Sequence, residues 1–184
     1  MQFHETPLAG AFLIDLTPVE DERGLFARTV CEEVFARHGL AGHFVQQSIS
    51  WNPRQGTLRG LHYQAAPHQE VKLVRVTRGA VFDVIVDLRP GSATRGQAFS
   101  TELSAHNRRQ LYIPAGMAHG FQTLEPDTEI LYQMTTPFDA AAARGLRWDD
   151  PGLAIAWPAG PARLISARDR DLPLLADCLA SDTF

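Results

Sequence analysis

Lysine is almost missing from this chain. Its 17 Lys and Arg residues include one lysine, Lys72, and 17 − 1 leaves 16 arginines. A net basic charge is missing as well: 17 cations against 21 Asp and Glu give −4, with a pI near 5.9. That balance excludes the basic footprint of a nucleic-acid binder. It leaves room for a small anionic ligand, because a local arginine pocket fits on an acidic protein. Cysteine is scarce. Cys31 and Cys178 stand far apart and form no CxxC, which predicts two reduced thiols in a cytoplasmic protein rather than a disulfide. No apolar run approaches the roughly 20 residues of a membrane helix. The N-terminal stretch MQFHETPLAGAFLIDLTP, interrupted by Glu5 and Asp15, does not read as a signal peptide. Internal repeats and low-complexity linkers are absent.

What is present is an ordinary globular composition, 45% hydrophobic and 21% charged over 184 residues, which excludes disorder. The length suits a single domain over 1–184, with 159–184 as a helical appendage. Short β-prone segments alternate with Gly, Pro, Asn and Asp turn signals, the pattern of an all-β barrel or sandwich. VKLVRV (71–76) leads through Thr77-Arg78-Gly79 into VFDVIVDL (81–88) as a predicted hairpin. Its second strand sets Phe82, Val84, Val86 and Leu88 on one face and Asp83 and Asp87 on the other. Further strands are predicted at 99–104, 109–114, 119–125 and 129–135. Helix is confined to a short N-terminal segment, 31–40, and a terminal one, 171–180. These features predict an antiparallel double-sheet jelly roll whose interior holds a small ligand.

The segment GTLRGLHYQAAPHQEVKLVRV (56–76) concentrates reactive groups: Arg59, His62, His68, Glu70 and Lys72. IPAGMAHGF adds His119, and ILYQMT adds Tyr132. Each alone has an ordinary structural explanation, since a strand His or Tyr commonly lines a core. Lys72 stands out. It shares an alternating face with Val74 and Val76, and a buried ammonium there needs an anionic or strongly polar partner. A compact point charge in an arginine-rich chain suits a developing oxyanion. Simple alternation sets Arg59 and His62 on opposite faces of their strand, unless Gly60 marks a bulge that turns both inward.

The segments DERGLFAR, QGTLRGLHYQ, VKLVRVTRGAVFDVIVDLRPGS, LYIPAGMAHGFQTL, YQMTTPF, GLRWDDPGLAIAWP and ISARD run in order across nearly the whole chain. Together they resemble the nucleotide-sugar epimerases typified by dTDP-4-dehydrorhamnose 3,5-epimerase. The resemblance implies a cupin-type jelly roll and a homodimer. It implies no metal and no cofactor, and a nucleoside-diphosphate 4-keto-6-deoxy-sugar as substrate. Epimerising a carbon beside a ketone needs a base, an acid on the opposite face and a cation at the carbonyl oxygen. By resemblance, His62 is the base, Asp169 its partner, Tyr132 the acid, and Lys72 the enolate-stabilising cation. His119 is a further polar contact and Arg59 a diphosphate ligand. Arg23 and Phe26 resemble contacts to phosphate and base that come from the neighbouring subunit. Gln46 falls in the family's Gln-x-Asn-x-Ser stretch.

Departures cluster among the substrate contacts. Arg28 stands where the family has Glu, Ser48 where it has Asn, Phe138 for a second pocket tyrosine, Ala143 for Glu and Arg168 for Lys. That pattern implies retained proton-transfer groups with altered recognition. Phe138 keeps a ring and loses a hydroxyl, which bears on whether one carbon or two is inverted. Three rivals remain open on the residues. One is a metal-dependent cupin using His62, His68, Glu70 and His119, although no second histidine stands one residue from His62. The others are a binding module without activity and a ketoisomerase on the same fold.

Overall fold

Alternating residues along the long strands make two sheets with one shared interior. The computed structural model describes residues 1–160 and 162–181. Its strands are β1 (Gln2–Glu5), β2 (Phe12–Asp15), β3 (Val19–Asp21), β4 (Gly24–Phe26), β5 (Gln46–Asn52), β6 (Leu58–Gln64), β7 (Lys72–Arg78), β8 (Ala80–Asp87), β9 (Ala98–Ser104), β10 (Gln110–Ile113), β11 (Met117–Thr123), β12 (Thr128–Met134) and β13 (Ala143–Gly145). Helices α1 (Glu32–Arg37), α2 (Ala167–Arg170) and α3 (Leu175–Ser181) are short. One sheet runs β1-β2-β10-β7-β12-β5 and the other β13-β6-β11-β8-β9, while β3 and β4 form a separate hairpin. All the strand pairings are antiparallel.

The predicted hairpin at 71–88 is a corner between sheets. β7 lies between β10 and β12 in one sheet, and β8 between β11 and β9 in the other. Gly79, at φ +73°, turns the chain where a Cβ would collide with Thr128. Local alternation sets which side of a strand is apolar; it does not choose the hydrogen-bonding partner. Here the inner faces Val74, Val76 and Val81, Ile85 meet across the interior with Leu103, Leu111, Phe121 and Ile130. On the outer face of β8, Val84, Val86 and Leu88 pack under a C-terminal layer of Leu146, Leu153, Leu175 and Cys178. Both faces of β8 are therefore apolar except for Asp83 and Asp87, each fully buried. The outer face of the other sheet is covered by α1, whose Phe35 packs on Ile14, Leu73 and Tyr112.

The other predicted strands match β9, β10, β11 and β12 within two residues, with β11 starting at Met117, two residues before the predicted start. The N-terminal helix is shorter than predicted and stops at Arg37, with His38 and Gly39 closing it. The C-terminal helix begins at Leu175 rather than residue 171, because Pro173 cannot continue an upstream helix and disfavours helical geometry before it. α2 was not anticipated; Ser166 caps it by accepting the Asp169 N–H. Of the segment 159–184, residues 161 and 182–184 lie outside the described residues.

Candidate active site

The strand that carries His62 is irregular, and the irregularity builds the site. His62 faces His119 across β6 and β11, and Arg59 faces Phe121, so three steps on β6 match two on β11. This one-residue excess is the bulge foreseen at Gly60. The two backbones come too close for side chains: a Cβ on Gly60 would lie 2.6 Å from Gly120 Cα, and one on Gly120 would lie 2.7 Å from the Arg59 carbonyl oxygen. Gly60 also holds φ +119°, a value that L side chains rarely adopt. Arg59 and His62 consequently line one cavity of about 340 Å³, while Leu61 between them packs outward.

His62 Nε2 lies 2.8 Å from Asp169 Oδ1, across 107 positions of chain. Asp169 is buried, and its second oxygen accepts the Gly60 N–H at 3.2 Å. Burial pushes the Asp169 carboxyl up, but hydrogen bonding and charge from His62, with the Gly60 N–H and Ser166, outweigh it and hold the group below the usual carboxylate range. An ionised Asp169 accepts a hydrogen bond from Nε2–H, which leaves Nδ1 as the basic nitrogen of the half-exposed imidazole.

Lys72 enters the same cavity from β7. Its Nζ donates to the His62 carbonyl oxygen at 3.2 Å and pairs with Glu70 Oε1 at 3.0 Å. His119, from β11, is buried with both Asp83 oxygens within 3.0 Å of its Nε2. Its ring meets the edge of Tyr132, on β12, with centroids 5.8 Å apart. Burial first, and then the charge of Asp83, push the Tyr132 phenol well above its usual value against an opposing contribution from Arg59. The phenol is therefore protonated at neutral pH and has a proton to give. Arg59 is oriented by the buried Asn52, whose Oδ1 accepts from Nε at 2.9 Å.

Of the residues singled out in the sequence, Ser48, Arg59, His62, Lys72, His119, Tyr132, Phe138, Ala143 and Arg168 line this cavity, with Asp169 directly behind His62. Gln46 is not part of the lining, but its Oε1 accepts the Phe138 N–H at 2.9 Å and so fixes the rim. Arg23, Phe26 and Arg28 do not line the cavity of their own chain. Arg23 pairs with Asp21 on the β3–β4 hairpin, Phe26 is 77% exposed, and Arg28 donates to the Cys31 thiol at 3.7 Å. The metal-cupin set does not converge. His62 bonds Asp169, His68 lies 3.5 Å from Asp139, Glu70 holds Lys72 and His119 holds Asp83. Among the described residues no group of three or more His, Cys, Asp or Glu side chains is arranged to hold a metal.

Asp83 and Gln64 were not singled out as site residues. Asp83 gave a signal, since it stands between the core residues Val81 and Ile85 on the same face. Gln64, buried, bonds the carbonyls of His68 and Pro137 and accepts the Asp139 N–H, tying down the loop that carries Phe138. Nothing in a lone strand glutamine announces that role.

A double-sheet barrel with an interior cavity of convergent polar groups defines the class: this is a cupin-type jelly-roll protein. Within that class the chain belongs to the dTDP-4-dehydrorhamnose 3,5-epimerase family, whose sequence profile matches residues 5–177. It is 44% identical over 177 residues to the dTDP-4-dehydrorhamnose 3,5-epimerase of Sinorhizobium fredii, covering 96% of this chain and 91% of that one. The crystal structure of the Bacillus anthracis dTDP-4-dehydrorhamnose 3,5-epimerase with TDP and PPi bound superposes with a TM-score of 0.90 at 40% identity, covering 94% and 98% of the two chains. A 3'-monoepimerase from Streptomyces bikiniensis in complex with dTDP-quinovose superposes with a TM-score of 0.91 at 29% identity, covering 98% and 91%.

Proposed function

We propose that this protein epimerises a dTDP-4-keto-6-deoxy-hexose at C3, C5 or both, in deoxysugar biosynthesis, with His62 as the base. The observation that carries this reading is the His62–Asp169 pair at 2.8 Å, opening onto a cavity that also holds Lys72 and Tyr132. His62 Nδ1 takes the proton from the carbon beside the ketone. The C–H electron pair becomes the enolate double bond, and the carbonyl π pair moves to oxygen beside the Lys72 ammonium. The Tyr132 hydroxyl then protonates the same carbon from the other face, and the carbonyl reforms. The two transfers are redox-neutral, so the steps need no electron acceptor. Arg59 and Arg168, at the cavity mouth, suit the diphosphate as charge-assisted donors.

The reading extends to a homodimer in which the β3–β4 hairpin carries Arg23 and Phe26 to the neighbour's cavity. In support, Val19 and Phe26 on the hairpin are exposed, as are Ile49 and Trp51 on the edge strand β5. Exposed apolar side chains on an unpaired edge are the feature a partner covers. Among the described residues Cys31 and Cys178 form no disulfide, which suits a reducing compartment such as the cytoplasm. The test is incubation with dTDP-4-keto-6-deoxyglucose in D2O, with NMR assignment of the labelled carbons. Deuterium at C3 or C5 is expected; none with a folded protein overturns the assignment.

A further inference from the structure

Glu70 presents a buried carboxylate to the cavity with one oxygen used and one not. It lies in the segment between β6 and β7, and its side chain is only 7% exposed. Oε1 pairs with Lys72 Nζ at 3.0 Å, while Oε2 is buried without a hydrogen-bond partner among the described residues. Leaving a carboxylate oxygen buried and unsatisfied is unfavourable unless a donor reaches it. Glu70 is part of the cavity lining, so a ligand in the cavity is the group positioned to supply that donor.

The chemistry of the site narrows the donor. An ionised carboxylate only accepts, so the ligand must offer a hydroxyl or N–H. A 4-keto-6-deoxy-hexose ring carries free hydroxyls at C2 and C3. Both oxygens of Glu70 share one carbon, so Oε2 lies within a carboxylate's width of the oxygen that holds the Lys72 ammonium at 3.0 Å. With Lys72 on the C4 oxygen, the C3 hydroxyl is borne on the very next carbon, and the C2 hydroxyl one carbon further away.

We propose that Glu70 determines sugar specificity by accepting a hydrogen bond from the C3 hydroxyl through Oε2, while Oε1 holds Lys72 at the neighbouring C4 oxygen. This rests on the epimerase reading given above. Inversion at C3 moves that hydroxyl, so the contact distinguishes the two C3 epimers and bears directly on which one the cavity retains.

The test uses the unreactive 4-hydroxyl analogues dTDP-6-deoxyglucose and dTDP-3,6-dideoxyglucose, with affinities measured by calorimetry for the full-length protein. Glu70→Ala is expected to weaken binding of the first by about tenfold or more, as for a hydrogen bond to a charged group. It is expected to weaken the second by less than about threefold. Glu70→Gln keeps the shape and guards against a folding defect: its amide oxygen stays on Lys72 and its NH2 meets the hydroxyl. A smaller loss is expected there, again confined to the 3-hydroxyl ligand. Equal weakening of both ligands in either variant overturns the proposal and leaves Glu70 acting only through Lys72. Failure of the epimerase reading is seen separately, as absent deuterium exchange in the wild-type protein, and removes the proposal with it.

Discussion

His62 and His119 are direct register partners on adjacent strands, and each is held by a different buried carboxylate, Asp169 and Asp83. Cross-strand partners share a face, so both imidazoles address one cavity. Their environments separate them. His62 is 43% exposed through its side chain and uses one ring nitrogen on Asp169, whereas His119 is 4% exposed and wedged between Asp83 and the Tyr132 ring. The first arrangement suits proton exchange with a ligand, and the second suits holding a neighbouring ring in place.

His62→Ala is expected to abolish deuterium incorporation while dTDP affinity stays within about threefold of wild type. Asp169→Asn keeps the shape but removes the carboxylate that fixes the imidazole, with an expected fall in kcat of about 10²-fold or more. Exchange rates by NMR, paired with dTDP titration, check both. Wild-type exchange in His62→Ala would remove the base assignment.

Tyr132→Phe separates abstraction from inversion. With the acid gone and the base intact, an enolate is reprotonated from the face it left. The expected product is deuterium-labelled substrate of unchanged configuration, with epimer formation slowed by about 10²-fold or more. Parallel loss of exchange and inversion in this variant contradicts an opposing-acid role.

Phe138→Tyr restores a hydroxyl at the cavity rim, where the Phe138 backbone is held by Gln46. The expected outcome is a changed ratio of C3 to C5 labelling in D2O. An unchanged ratio together with unchanged substrate preference rejects the idea that this ring governs how many carbons are inverted.

Gly60→Ala places a methyl against the Gly120 backbone and puts an L side chain at φ +119°. Overpacking of this kind costs about 3 kcal/mol, and for a chain of this size the thermal midpoint should fall by about 10 °C. A scanning calorimetry trace within one degree or so of wild type would show that the β6–β11 bulge tolerates a side chain.

Asp87 is fully buried. Burial pushes its carboxyl up, but hydrogen bonds from Arg89, Ser92 and Thr94 outweigh that and hold it far below the usual carboxylate range. The folded value lies below the unfolded value of about 3.9, so its stabilisation is complete well above pH 4 and is lost as the pH falls toward the folded value. Asp87→Asn should lower stability at pH 7 by about 2 kcal/mol and flatten the decline of the urea midpoint between pH 5 and pH 3. An equally steep decline in the variant assigns the acid sensitivity to other carboxylates.

Much of the site was legible because its chemistry is tied to residue type. The lone Lys72, set on a face with Val74 and Val76, does enter the interior, since alternation along a strand is a local property. The same logic sorted Val84, Val86 and Leu88 from Asp83 and Asp87. Residue type and period do not report partners, so the 71–88 hairpin turned out to be a corner between sheets, and Asp83 passed as an ordinary strand acid.

The sequence by itself determined a mostly β chain, the faces of its strands and the family, because these follow from composition, period and motif, and it named the candidate reactive groups. Tertiary structure decided the rest. Asp169 reaches His62 because a C-terminal layer packs on the outer face of the second sheet, and Glu70, in the segment that joins β6 of one sheet to β7 of the other, has one buried oxygen without a partner among the described residues. Arg59 and His62 share a cavity because two glycine backbones meet where no side chain fits. Each of these is a relation between distant segments, fixed by close packing and by the pairing of buried polar groups rather than by any local preference of the chain.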